Sequence, residues 1–228
     1  MISKISVLAV LGCLSIVSAG DLKLGVAGGM GLSSIIGENP LDKDGEIIGA
    51  WSLGFTGRVG FGPIAFQPEV LYSAKGVAIT ALGGKPIEDL GMESLGQRTT
   101  YLDVNFPLAL GVLPKFDVLF GPQIGILISA DGHYTPIAGD EVVSDRKDVN
   151  NPIDLGFLLG LQFEVIDGLY FGARGTIGVL NINNKDKTYY SRMNQNIFGA
   201  PEGEAKVTPG DDSYNVNLTS KVMLSYMF

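Results

Sequence analysis

From Asp21 onward apolar and polar residues alternate with a period of two, which is the mark of strands; amphipathic helical spacing is hard to find. Eight stretches carry the alternation: Lys23 to Ser33, Ala50 to Phe61, Ile64 to Gly76, Thr100 to Val112, Val118 to Ser129, Ile153 to Val165, Leu169 to Leu180, and Tyr214 to Phe228. In the second, Trp51, Leu53, Phe55, Val59 and Phe61 alternate with Ser52, Gly54, Thr56, Arg58 and Gly60. In the sixth, Ile153, Leu155, Phe157, Leu159, Leu161 and Phe163 alternate with Asp154, Gly156, Gly160, Gln162 and Glu164. Every stretch exceeds the roughly 5–6 residues of an ordinary globular strand and reaches the roughly 9–11 that cross a bilayer at a tilt.

The two faces of these strands differ in kind. One parity carries bulky aliphatic and aromatic side chains and no charge. The other is rich in glycine and holds charges of both signs: Lys23, Arg58, Lys75, Arg174 and Lys221 against Glu69, Asp103, Asp154 and Glu164. A secreted soluble barrel would turn its apolar parity inward and its polar parity to water. Glycine suits a narrow, crowded interior better than an open wet surface, so the pattern predicts the reverse, a membrane barrel with its apolar side chains outside.

The connections alternate as well. Short links fall at Gly62-Pro63, Leu113 to Asp117 and Ile166 to Gly168, and long polar ones at Ser34 to Gly49, Val77 to Thr99, Ala130 to Pro152 and Asn181 to Ser213. This predicts an all-β fold, an eight-stranded up-and-down antiparallel transmembrane β-barrel with periplasmic turns and extracellular loops. Phe61, Phe66, Phe163, Phe171 and Phe228 lie near the short turns, and Trp51, Tyr72 and Tyr214 near the long loops, as expected of two aromatic girdles.

Composition narrows the picture further. Glycine makes up 32 of 228 residues, about twice the ordinary share. No apolar run beyond the amino terminus is long enough for a helical span. A net charge of −8 and a pI near 4.6 exclude the basic face of a nucleic-acid binder. Lys4, the apolar stretch Ile5 to Val17 and Val17-Ser18-Ala19 read as a signal peptide, residues 1–19, ahead of a single barrel domain, residues 20–228. Cleavage after Ala19 also removes Cys13, the one cysteine, and with it any disulfide or thiolate chemistry. Val10-Leu11-Gly12-Cys13 loosely matches a lipoprotein box, but the apolar run continues through Leu14, Ile16 and Val17, which argues against lipidation. The expected location is the outer membrane of a Gram-negative type of envelope.

Across nearly the whole mature chain the sequence resembles the PorT-like outer-membrane β-barrel family. The matching stretches are Leu22–Ser33, Phe66–Gly76, Tyr101–Gly111, Phe120–Ala130, Asp154–Val165 and Leu169–Ile182. The most specific is Gln67-Pro68-Glu69 with Leu71-Tyr72, followed by Lys75-Gly76. Tyr101 and Pro107 stand six apart where the family pattern has four, a shift that keeps the parity. The resemblance implies an eight-stranded outer-membrane barrel. The family takes its name from a component of a gliding-associated secretion apparatus, and that role does not transfer.

Eight strands leave a lumen just wide enough to be filled by side chains. Arg58, Glu69, Asp103, Glu164, Arg174 and Lys221 are therefore expected to form a hydrogen-bonded ionic core, because an unpaired buried charge is costly. No catalytic, cofactor or metal site is expected. The sole histidine, His133, falls in the third long link and reads as a solvated loop residue. The glycine clusters Gly25 to Gly31 and Gly54 to Gly62 lie inside strands with no following helix, so they are not phosphate loops. Asp42-Lys43-Asp44-Gly45 lacks the rest of a calcium loop and reads as a turn. Val222, Leu224, Tyr226 and the terminal Phe228 share one parity and resemble the signal read by the barrel assembly machinery. The expected partners are outer-membrane lipid and that machinery, with no nucleic acid, an unspecified extracellular partner and a monomeric state. The favoured role is non-catalytic, structural or surface-interacting; the alternatives are a narrow channel or ligand-transport pore, or an accessory of a secretion apparatus.

Overall fold

A computed structural model describes residues 21–37, 45–82, 85–147, 150–182, 189–190, 206–207 and 215–228. The expected signal peptide, Tyr214 and Asp42-Lys43-Asp44 lie outside them. Eight strands make one ring: β1 (Asp21–Gly37), β2 (Ile48–Phe61), β3 (Glu69–Ile79), β4 (Met92–Asn105), β5 (Phe116–Pro136), β6 (Ile153–Ile166), β7 (Leu169–Gly178) and β8 (Asn215–Met227). Each pairs antiparallel with the next. β8 returns to β1, with partners running from Gly25↔Met227 to Gly37↔Asn215, so the sheet closes. A 3₁₀ turn spans Glu88–Leu90, and no helix among the described residues is long and apolar enough to cross a membrane.

Prolines interrupt two strands where continuous segments were expected. The pieces Ile64–Phe66 and Leu108–Leu113 prolong β3 and β4 toward the short turns, across breaks at Gln67-Pro68 and Phe106-Pro107. Proline has no N–H to give to a ladder, yet its carbonyl still accepts. Gly57 N–H donates to the Pro68 oxygen and Gln67 N–H to the Pro107 oxygen, both at 2.9 Å, and Phe106 N–H donates to that of Pro122 at 3.0 Å. The ring therefore stays stitched through its irregular positions.

Strands also run further on the long-loop side than the alternation indicates. β1 reaches Gly37 rather than Ser33, β4 begins at Met92 rather than Thr100, and β5 continues past Ser129 to Pro136. The register shift between Leu127 and Ser129 breaks the strict alternation at this point, which hid the extension. Beyond the rim, Ile87, Met92 and Leu95 bury one another, with Ile79 and Tyr134 packed against them. A further edge strand, Val142–Asp145, pairs with the end of β5. His133 consequently sits in a strand, not a loop, with Nδ1 2.9 Å from Glu141 Oε1.

The faces divide as the parity predicts. Met30 (77% exposed), Phe55 (72%), Leu53 and Leu159 (both 62%) stand on the outside. Trp51 and Tyr72 meet at 5.6 Å on the long-loop side, and Phe163 and Phe171 at 5.7 Å near the short turns. Inside, Glu69, Lys75, Asp103 and Gln162 are all buried. The interior also holds apolar plugs that the alternation did not single out: Leu119 and Leu158 pack with Ala65 and Ala109, and Leu71 packs with Ala27 and Met223.

Small residues let the ring close this tightly. From Gly25 to Ser33 the inward positions of β1 are Gly25, Ala27, Gly29, Gly31 and Ser33, and Ile35 beyond them packs with Val77 and Ile182. A Cβ added at Gly31 would stand 1.9 Å from the Ser220 carbonyl oxygen of β8, a clash with backbone that no rotamer relieves. The short turns are two-residue links, Gly62-Pro63, Pro114-Lys115 and Asp167-Gly168. Gly168 takes φ 78°, whereas Lys115 adopts φ 64° with a side chain, a conformation few L-residues favour.

Placing a charge on the outer belt tests this architecture. Leu159→Arg is expected to destabilise the barrel by roughly 2–4 kcal/mol in vesicles, and Val143→Arg on the edge strand by less than about 0.5 kcal/mol. Equilibrium urea unfolding, read by gel migration with and without heating, measures both.

Candidate functional site

The lumen gathers the chain's charged chemistry, and its members follow in order along the strands. Nearest the short turns, Arg58 of β2 pairs with Asp117 of β5 at 3.0 Å and donates to Gln67 Oε1 at 3.0 Å. The Arg58 guanidinium lies 5.4 Å from the centre of the Tyr170 ring. Gln162 donates to Asp117 at 3.0 Å and to Gln67 at 2.9 Å, linking β6 across the lumen to the break in β3.

One step further, Glu69 receives three partners. Arg174 Nη1 pairs with its Oε2, Asn105 Nδ2 donates to the same oxygen at 3.2 Å, and Gln67 Nε2 donates to Oε1 at 3.2 Å. Beyond it, Lys75 holds Asp103 at 3.0 Å and Asp154 at 3.5 Å, and its ammonium sits 4.7 Å from the Tyr101 ring centre. Asn217 donates to Asp154 at 2.9 Å. Near the long-loop rim, Gln97 donates to Asn150 at 3.1 Å. A carboxylate buried this deeply is tolerated only when donors engage it, and each of these is so engaged.

Four of the six residues expected in this core, Arg58, Glu69, Asp103 and Arg174, lie within it. Glu164 does not. It follows Gln162 on the way to the turn, at a register shift, and its Oε1 accepts the Gly168 backbone N–H at 3.0 Å. Nearby, Lys23 pairs with the exposed Asp167 at 3.1 Å. Lys221 faces the lumen beside its register partner Arg174, but has no ion pair within 4 Å among the described residues, because Lys75 holds both nearby acids. Lys221 lines a cavity of about 20 Å³ with Asp103, Asn105, Arg174 and Thr219, about the room one water needs.

Asp117 takes the place expected of Glu164. Grouped with a turn in the linear reading, it shares the parity of Gly121 and Gln123, and continuing the alternation backward by two steps would have turned it inward. With Lys221 counted, though unpaired among the described residues, the lumen then sets Arg58, Lys75, Arg174 and Lys221 against Glu69, Asp103, Asp117 and Asp154, and the formal charges cancel. Among the described residues no group of three metal-ligating side chains forms.

Closure of the ring, an apolar exterior and a neutral, filled interior leave few families open. A family model described as an outer membrane protein beta-barrel domain matches residues 17–184. The chain belongs to that family. As a member it is an outer-membrane protein that crosses the bilayer with strands. Among solved structures it is similar to the Neisserial surface protein A, with a TM-score of 0.46, 8% identity, and coverage of 90% of this chain and 97% of that one. It is also similar to the attachment invasion locus protein Ail of Yersinia pestis, with 0.41, 11%, 90% and 98%. A major outer membrane protein of Thermus thermophilus gives 0.47, 14%, 91% and 99%. Likenesses at this level carry no argument about role. No curated protein matches the chain in sequence.

Unpairing one buried charge tests the core. Glu69→Ala strands Arg174 and is expected to cost about 3–5 kcal/mol, while the double change Glu69→Met with Arg174→Met is expected to cost far less. Urea unfolding of the two variants in vesicles makes the comparison.

Proposed function

We propose that this protein is a sealed, non-catalytic outer-membrane barrel whose purpose is to hold its long polar connections on the cell surface. The observation that carries the proposal is the filled, charge-neutral column between Arg58 and Asp154. Arg58 and Arg174 are both engaged by carboxylates, so neither stands ready to greet a passing solute. A column whose carboxylates, guanidinium groups and amides are largely engaged with one another offers little polar lining to a passing ion, which disfavours the channel and transport readings.

The narrower kinship with the PorT-like barrels belongs to this proposal. It rests on the stretch Phe66–Gly76, which supplies Gln67, Glu69 and Lys75 to the column. The same holds for orientation, with short turns in the periplasm and long loops outside, for the monomeric state, and for export by the leader, residues 1–19. Val222, Leu224 and Tyr226 stand on the lipid face of β8, and Phe228, one residue past its end, is exposed beside them. Phe228 N–H donates to the Leu24 oxygen at 2.8 Å and Leu24 N–H returns a bond at 3.2 Å, so the terminal residue lies on the closing seam. That position suits a signal recognised before the seam forms.

Three measurements bear on the proposal. Purified barrel in planar bilayers is expected to show no stable conductance; a persistent, large, uniform conductance would mean the lumen is open. Deleting Phe228 is expected to lower the heat-modifiable form in isolated outer membranes, whereas an unchanged, protease-protected barrel would remove the assembly role. On intact cells, protease is expected to cut within residues 137–152 and spare the short turns.

A further inference from the structure

Beyond the rim the sheet is no longer closed. β5 runs on to Pro136, whereas its pairing with β6 ends at Ile126↔Ile153. The edge strand Val142–Asp145 fills the vacated side of β5 and pairs with nothing else among the described residues. Arg146 N–H donates to the Ala130 oxygen at 2.7 Å, which sets the phase of the ladder. Antiparallel pairs alternate, so Gly132–Ser144 and Tyr134–Val142 exchange bonds, while Val143 and Asp145 turn their N–H and C=O groups to the far side. No other strand among the described residues pairs with that far side, and all four residues of the strand are exposed.

The edge also has a distinct chemistry. Asp145 stands directly opposite Asp131, in the non-bonded kind of pair that brings side chains closest. Like charges so placed are mutually destabilising, and neither takes part in an ion pair within 4 Å among the described residues. Arg98 flanks Asp131 on β4, and Glu141 adds another carboxylate beside His133. Val143, 55% exposed, lies between the acids as an apolar foothold. A second copy of the chain pairing here would bring acid against acid, the usual protection of edge strands from self-association.

We propose that Val142–Asp145 is a docking edge for an extended basic segment of another protein, added as one more strand. Its backbone bonds Val143 and Asp145, an apolar side chain rests on Val143, and a Lys or Arg relieves the Asp131–Asp145 pair. This deepens the surface-interaction role and rests on the long-loop end facing outward.

The test titrates purified full-length barrel in nanodiscs with a short peptide alternating Lys and Val, with the same peptide N-methylated at alternate backbone positions, and with a Glu/Val counterpart. The Lys/Val peptide is expected to bind at least about tenfold more tightly than either control, the loss expected when two or so backbone bonds or the charge match are removed. Val143→Pro deletes one outward N–H and keeps every bond to β5, and is expected to weaken the Lys/Val peptide several-fold; Asp145→Lys is expected to abolish its preference over the Glu/Val peptide. Equal binding of the N-methylated peptide, no binding of the Lys/Val peptide, or a Val143→Pro variant that binds normally overturns the proposal. So does a dimer that Val143→Pro dissolves, which would make a second copy the occupant. Thiol labelling of the Val143→Cys variant on intact cells reads the orientation separately, so a barrel facing the other way is distinguished from an edge that binds nothing.

Discussion

Hydrocarbon offers a peptide group no hydrogen bonds, so each backbone N–H and C=O of a strand that crosses it must find its partner in another strand. Here that demand is met by β8 returning to β1 along thirteen paired positions. The other features follow from the closure. A ring of eight is narrow, so its inward positions must be small or must interlock. Both solutions appear, with glycine and alanine along β1 and a packed column of charged and amide side chains from β2 onward. The breaks at Pro68 and Pro107 survive for the same reason: the carbonyls beside each missing donor are still used.

The column answers a second constraint. Charges removed from water cost more than their mutual attraction returns unless further hydrogen bonds occupy what remains of each group. Gln67, Asn105, Gln162 and Asn217 supply those bonds, bridging carboxylates that no cation could satisfy alone. The lumen thereby reaches neutrality without being apolar. Four of the eight strands and the break before β3 are tied together by side chains in the level nearest the short turns alone, through Arg58, Gln67, Asp117, Gln162 and Tyr170.

Much of this was legible in the linear chain, for a physical reason. In a membrane barrel every strand position faces one of two very different solvents, so parity alone separates Leu159 from Gln162 and Tyr72 from Lys75. Parity does not reveal pairing. That Lys75 would take both Asp103 and Asp154, leaving Lys221 without an acid, depends on heights along the axis that only register fixes. Glu164 and Asp117 exchanged places for a related reason, since a register shift lifts one to the rim and regular alternation keeps the other within. Past the bulge between Leu127 and Ser129 the period is lost, and with it any sign that His133 and Arg98 belong to strands. The apolar plugs Leu71, Leu119 and Leu158 were hidden by their chemistry, being greasy residues on the polar side.

The small-residue inner face of β1 from Gly25 to Ser33 carries an implication for how the molecule is made. None of the hydrogen-bonded column belongs to that strand; Arg58, Glu69, Lys75, Asp103, Asp117, Asp154 and Arg174 all come from the seven that follow. The interior can thus finish knitting while the two ends of the chain are still apart. Along that stretch sealing then becomes a plain backbone zippering, with side-chain packing left to Ile35 at one end and the Lys23–Asp167 pair at the other.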